Sequence, residues 1–196
     1  NWELVEVHSG TLVLTNPVSG GGTFNASTVG AQLDFTGETT LNGAILGGSG
    51  LKRLLGNTIV SGASAFTNVE LAGGTFSGSA AITGGLTNSG GVIQPGGVGA
   101  AGMISFSGNY TQTIGGRVAI EIGGTTPGTQ FDQINVGGAA TLAGPLDVTF
   151  IGGFNPAPGS SFAVLSYGNR SGTFAPLTAP AVLTANYTAS ALTFDA

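Results

Sequence analysis

The sequence predicts an all-β protein: a right-handed parallel β-solenoid (β-helix) with a broader β section at its C-terminal end. Three observations predict it. Glycine supplies 37 of 196 residues and interrupts almost every ten-residue window, so no stretch sustains the i, i+3, i+4, i+7 apolar spacing of a helix. Short runs alternate apolar with polar residues, and each is bounded by Gly, Asn, Ser or Pro. Turn signals arrive about every five to eight residues, closer than the roughly 8–12 of a β-sandwich. Such spacing suits coils of about twenty residues, each holding two or three short strands.

In chain order the strand candidates are TLVLT (11–15), QLDFT (32–36), NVEL (68–71), MISFSG (103–108), RVAIEIGG (117–124), QINVGG (133–138), PLDVTF (145–150) and FAVLSY (162–167). Residues 1–102 repeat loosely. SGTLVL (9–14), GGTFNAS (21–27) and GGTFSGS (73–79) share a Gly-Thr-apolar core, and TTLNGAILGGSG (39–50) resembles AAITGGLTNSGG (80–91). One coil cannot bury its apolar residues alone. Stacking the next about 4.8 Å above it pairs the strands and closes a narrow apolar column. Leu12, Leu14, Phe24, Leu33, Phe35, Leu41, Ile45, Ile59, Phe66, Leu71, Phe76 and Ile82 are the expected inward positions. Five coils would fill this part of the chain, a rod roughly 24 Å long.

From 103 to 196 the strands lengthen and proline punctuates them. The turn chemistry is unchanged, so this section reads as a continuation with wider coils rather than a separate sandwich. Val118, Ile120 and Ile122 share one face, with Arg117, Ala119 and Glu121 on the other. Leu146, Val148 and Phe150 point in; Asp147 and Thr149 point out.

Composition narrows the function. Charged residues are only 7% of the chain, against about 25% in an ordinary soluble domain. The surface must therefore be Thr, Ser, Asn, Gln and Gly, neutral and weakly repelling, which favours packing against copies of the same chain or a matrix. Net charge is −5 and the only basic residues are Lys52, Arg53, Arg117 and Arg170, so no basic patch exists for nucleic acid. Cysteine is absent, which removes disulfides and thiolate metal sites. No apolar run is long enough to span a bilayer, so no membrane insertion is expected of this segment. The opening at Asn1, without Met, reads as a processed or excised piece.

The motifs that carry chemistry elsewhere are weak here. GGVGAAG (96–102) spells G-x-G-x-x-G, with Glu121 about twenty positions on. A dinucleotide fingerprint must open a helix, whose N-terminal N–H groups hold the pyrophosphate. MISFSGNYTQTIGG follows instead, with strand periodicity, so the motif reads as a joint between the two sections. His8 lies near Glu3 and Glu6 only in sequence and reads as a turn residue. The nine carboxylates are scattered, with no calcium nonapeptide and no paired acids for glycoside cleavage. Asp132 stands out: its phase with Ile134 and Val136 allows an inward position, but the preferred reading is that its carboxylate caps the turn at 128–130. No G-x-S-x-G elbow accompanies the histidine. Asn25, Asn109, Asn169 and Asn186 form Asn-x-Ser/Thr triplets and read as turn residues. Most aromatic residues alternate with aliphatics and belong to the core. No catalytic residue, cofactor or metal is expected, and the protein does not read as an enzyme.

Residues 107–177 and the closing ANYTASALTF (185–194) resemble the terminal module of large bacterial extracellular β-helix proteins, the autotransporter-like and filamentous-haemagglutinin-like adhesins. The pieces that carry the resemblance are GNYTQ (108–112), FDQINVGGAATLAGPLDV (131–148) and FAVLSYGNRSGTF (162–174). It implies an exported stalk, fibre or adhesin at the bacterial cell surface. Both ends of the chain read as bare strands, NWELVEV (1–7) and NYTASALTFDA (186–196). The expectation is head-to-tail strand addition between copies, with Trp2, Leu4, Tyr187, Leu192 and Phe194 as candidate contacts. Two alternatives remain: a monomeric module gripping surface glycans through Tyr, Asn and Thr, and a polysaccharide lyase or hydrolase on the same fold.

Overall fold

The computed structural model describes residues 3–196 and contains strands and no helix. The parallel strands stack as a β-solenoid, and every circuit passes over three faces. The first two circuits are β1 (Leu4–Val7), β2 (Thr11–Leu14) and β3 (Val18–Gly20), then β4 (Thr23–Ala26), β5 (Gln32–Phe35) and β6 (Thr39–Asn42). The third is β7 (Ile45–Gly47), β8 (Leu51–Leu54) and the first half of β9 (Thr58–Phe66). The second half of β9, β10 (Val69–Leu71) and the first half of β11 (Thr75–Gly84) make the fourth. The rest of β11 with β12 (Leu86–Asn88) and β13 (Val92–Pro95) makes the fifth. The repetitive section thus holds the five coils that its turn spacing predicts.

The solenoid continues without a break. β14 (Met103–Phe106), β15 (Tyr110–Gln112) and β16 (Arg117–Ile122) lie parallel to β11, β12 and β13. β17 (Gln133–Leu142), β18 (Leu146–Phe150), β19 (Ser161–Gly172) and β20 (Leu177–Thr178) stack on those in turn. These coils are wider. Glu70 pairs with Thr87, 17 positions on, whereas Ala140 pairs with Arg170, 30 positions on.

Inside each coil the strand alternation builds apolar columns. Phe24, Leu33, Phe35, Leu41, Leu46 and Leu54 are fully buried, and Phe24 meets Phe35 edge-on with ring centres 5.3 Å apart. Two expected core positions are corrected. Ile45 and Ile59 face outward, 47% and 53% exposed, and Leu46 and Val60 take the interior. Each lies in an unbroken apolar pair, where strand periodicity cannot say which member points in. Val118, Ile120, Ile122, Leu146 and Val148 are buried as the alternation requires.

Close stacking explains one use of glycine. At Gly78 the backbone takes φ 106° beside β9, and a Cβ there would collide with the Val60 carbonyl. The coil corner between the two halves of β11 therefore needs a residue without a side chain.

The last two strands depart from the parallel pattern. β22 (Ala191–Asp195) runs antiparallel to β19, and β21 (Thr184–Tyr187) runs antiparallel to β22. The expectation of two bare ends is thus corrected: the C-terminal end carries an antiparallel hairpin.

Candidate functional site

The open end is built by β1, β2 and β3. Each pairs on one side only, with β4, β5 and β6, among the described residues. Its consequence is visible along one column. Leu12 stacks on Leu33, which stacks on Lys52; the inner two are 0% exposed and Leu12 is 38% exposed. Leu12 is in line with the core column, and among the described residues no strand lies above it. Leu4 (60%) and Val13 (46%) stand beside it on the outer surface. Glu6, also on β1, accepts a hydrogen bond from Asn25 Nδ2 at 2.9 Å and has its second oxygen 3.6 Å from His8 Nε2. His8 also meets Ser27 Oγ at 2.9 Å, so it serves as a linker between coils at a strand end.

The opposite end is closed. Phe174, Leu183, Leu192 and Phe194 cover the column and are buried. Tyr187 is half-buried, its hydroxyl accepting the Phe174 N–H at 3.0 Å while the Arg170 guanidinium lies 4.6 Å from its ring centre. Burial pushes the Tyr187 phenol above its ordinary range, against the opposing pull of the Phe174 N–H and Arg170.

Of the sequence-derived contact candidates, Leu192 and Phe194 are therefore corrected. Both are 0% exposed and serve the core, because β22 extends the sheet beside β19 and turns Leu192 and Phe194 to the same inner face as Leu165 and Phe162. Leu4 remains on the surface, Tyr187 is partly available, and Trp2 lies outside the described residues. Tyr110 and Tyr167 are buried as well, so the tyrosines supply no exposed sugar platform.

One edge remains at the closed end. Among the described residues β21 pairs with β22 alone, with Thr184 and Asn186 exposed and Ala185 and Tyr187 turned to the core. Two reversals in succession make β21 run in the same direction as β19, and hence as β1. Both lie on the same face of the solenoid, through the parallel chain β1–β4–β7–β9–β11–β14–β17–β19.

A second feature lies on the flank. Outward residues Thr40, Ile59, Ser77 and Gln94 form one row across β6, β9, β11 and β13. With Glu38 and Val98 they line a groove of about 320 Å³. Val98 belongs to GGVGAAG, which is an exposed loop entering β14 directly; a strand follows the motif where a dinucleotide site needs a helix.

That loop hides two acids. Glu121 Oε2 accepts the Gly99 N–H at 2.7 Å, and its Oε1 lies 3.4 Å from Gln94 Nε2. Asp132 is fully buried; Oδ1 accepts the Gly102 N–H at 2.8 Å and Oδ2 accepts the Glu121 N–H at 2.9 Å. The preferred reading, a cap at 128–130, is corrected: Asp132 points inward, the alternative its phase allowed. Backbone groups close that turn, Gln130 N–H donating to the Thr126 carbonyl at 2.8 Å. Burial raises the Asp132 carboxyl to about 7, against the pull of its two N–H donors, and the neighbouring Glu121 charge adds to the rise.

The bases are engaged elsewhere. Lys52 Nζ, buried in the column, donates to the carbonyls of Gly47, Gly48 and Gly50 at 2.7, 2.8 and 2.8 Å. Burial lowers its ammonium to about 8. Arg53 makes a two-point contact with Asp34 and Arg117 pairs with Asp147 at 2.7 Å. Alternation alone could have placed Lys52 inside, since it is in phase with Leu54. The burial of Glu121 has no sequence signal, because it depends on a loop folding over its outward face.

Among the described residues no group of three or more His, Asp or Glu converges as a metal site. Comparison with protein-family models finds none that matches this chain, and comparison with curated proteins finds no match.

Proposed function

We propose that the protein is a structural segment of an extracellular bacterial surface fibre or adhesin, joining copies of itself head to tail by strand addition. The observation that carries this reading is the uncovered column at β1–β3, where Leu12 keeps 38% of its surface in water above a fully buried Leu33. An open parallel edge beside an apolar patch is a template for another strand. The free edge of β21 has the polarity to meet it. Set in parallel register, Ala185 and Tyr187 fall above the inward Val5 and Val7, and Thr184 and Asn186 above the outward Leu4 and Glu6. The pairing preserves both in–out patterns, and its ends differ, so it generates an open filament rather than a closed dimer. The surface supports an extracellular setting through its chemistry: few charges, many hydroxyls and amides, and resemblance to exported β-helices.

Sedimentation velocity over a concentration series, with negative-stain microscopy of the same samples, tests the proposal. Filaments that disappear on Leu12→Asp, with unchanged circular dichroism, support it. A monomer at every concentration overturns it.

The groove beside Val98 favours a second reading, a glycan-binding module, because Thr40, Ser77 and Gln94 offer hydroxyl and amide partners in a row. Saturable binding of the monomer to a glycan array, without filaments, would select it.

A further inference from the structure

The corner that leads into β10, β12 and β15 repeats from coil to coil. Glu70, Thr87 and Thr111 pair in register, and Asn68, Gly85 and Asn109 each stand two residues before them. These three therefore stack as a row, an asparagine ladder with its middle rung missing. A side chain cannot replace that rung, because a Cβ on Gly85 would run into the Asn109 carbonyl. The gap leaves a dent of about 350 Å³, at the lower end of the range that ligand sites occupy. Val69 and Leu86 also line it, but both turn their side chains into the core.

The two asparagines are fixed in opposite senses. Asn68 sits at φ 50°, a left-handed conformation that asparagine tolerates, and its Nδ2 donates to the Ser49 carbonyl at 3.1 Å. That leaves Oδ1 to accept from a ligand. Asn109 Oδ1 accepts the Ala139 N–H at 2.9 Å, which leaves Nδ2 to donate. The dent thus has an acceptor on one wall and a donor on the other, two strand spacings or about 10 Å apart. Thr87 and Thr111 alternate with the buried Leu86, Asn88, Tyr110 and Gln112, so their hydroxyls face outward, and a hydroxyl both gives and accepts. The row continues from Thr111 to Thr141 on the next coil.

The lining selects a ligand class. No charged side chain lines the dent, and Glu70, beside Thr87, accepts a hydrogen bond from Ser89 Oγ. An anion would meet no cation here, a metal ion no carboxylate, and an apolar molecule no exposed apolar side chain. A neutral polyol fits, because its hydroxyls give and accept hydrogen bonds as the lining does.

We propose that the dent over Gly85 is a binding site for neutral saccharides, one sugar lying between Asn68 and Asn109 and the next directed along Thr111 and Thr141. Water competes for every one of these polar groups and no aromatic ring lies in the lining, so the affinity of a single site is weak, on the order of millimolar. The site lies on the face of β10, β12 and β15, whereas the groove beside Val98 lies on that of β6, β11 and β13. It rests neither on that groove nor on assembly.

Saturation-transfer difference NMR of the full chain with cellobiose, maltose, lactose and N,N′-diacetylchitobiose tests it, with digalacturonate as the anionic control. At least one neutral disaccharide should bind saturably and digalacturonate should not. The double substitution Thr87→Val and Thr111→Val keeps shape and strand preference while removing both hydroxyls, and should weaken binding about tenfold or more. Thr40→Val with Ser77→Ala, in the groove beside Val98, should leave it unchanged. Amide shifts at 85, 87, 109 and 111 of the unsubstituted protein, followed in the same titration, decide the matter should the double variant fail to fold. No binding by any neutral disaccharide, equal binding of digalacturonate, or binding indifferent to the double variant overturns the site. Shifts confined to Thr40, Ser77 and Gln94 overturn it too, and move the glycan to the groove. Filament formation is read separately, so this site and the assembly proposal stand or fall independently.

Discussion

The two ends of this solenoid solve the same problem differently. At the N-terminal end the column stops, among the described residues, with Leu12 and Leu14 only partly covered. At the C-terminal end the chain folds back, and Phe174, Leu183, Leu192 and Phe194 seal the column. The difference shows what a parallel stack requires. Each coil is completed by its neighbour, so a last coil needs something that is not a coil. The β21–β22 hairpin provides it by turning antiparallel, which lets one short segment supply both backbone partners and an apolar lid.

The contrast is sharpest where it can be broken. Phe194→Ala removes a fully buried ring from the lid and should destabilise the protein by about 3–5 kcal/mol, seen as a lowered denaturant midpoint. A change near zero would show that the hairpin closes nothing. The next test compares two leucines in one column. Leu33→Ala should cost about 2–5 kcal/mol, whereas Leu12→Ala, one layer out, should cost about 1 kcal/mol, because water already reaches it. Equal costs would mean that the first coil is covered.

A pH measurement probes the region between the ends. Asp132 carries a carboxyl raised by burial, so the folded state binds the proton that the unfolded chain has already released. Its contribution should therefore lower stability as pH rises from about 4 towards 7, and Asp132→Asn should flatten that slope in melts across the range. The smallest effect belongs to Arg117→Ala. Its pair with Asp147 joins β16 to β18, but half of the arginine is in solvent, and the loss should be about 0.5 kcal/mol in the same melts.

The fold was legible because its signals are local and repeated. Glycine-bounded runs such as QLDF and TLVL fix strand length, and their alternation fixes which residues face in wherever apolar and polar residues truly alternate. It failed at Ile45–Leu46 and Ile59–Val60, where two apolar neighbours compete and only packing against the adjacent coil selects one. The candidate site was less legible. Leu4 and the open first coil follow from NWELVEV reading as a strand, but Leu192 and Phe194 read as edge residues and are core. Nothing local distinguishes a strand that extends a stack from one that folds back over it.

Composition and periodicity by themselves determined an all-β solenoid, narrow at first and broader later, with a surface poor in charge. Which end is closed, the cover over Glu121 and the burial of Asp132 were decided by tertiary structure alone. The physical reason is range. Strand alternation and turn chemistry act over a few residues, whereas a lid, a covering loop or a desolvated carboxyl exists only once segments 11 to 30 residues apart have been brought together.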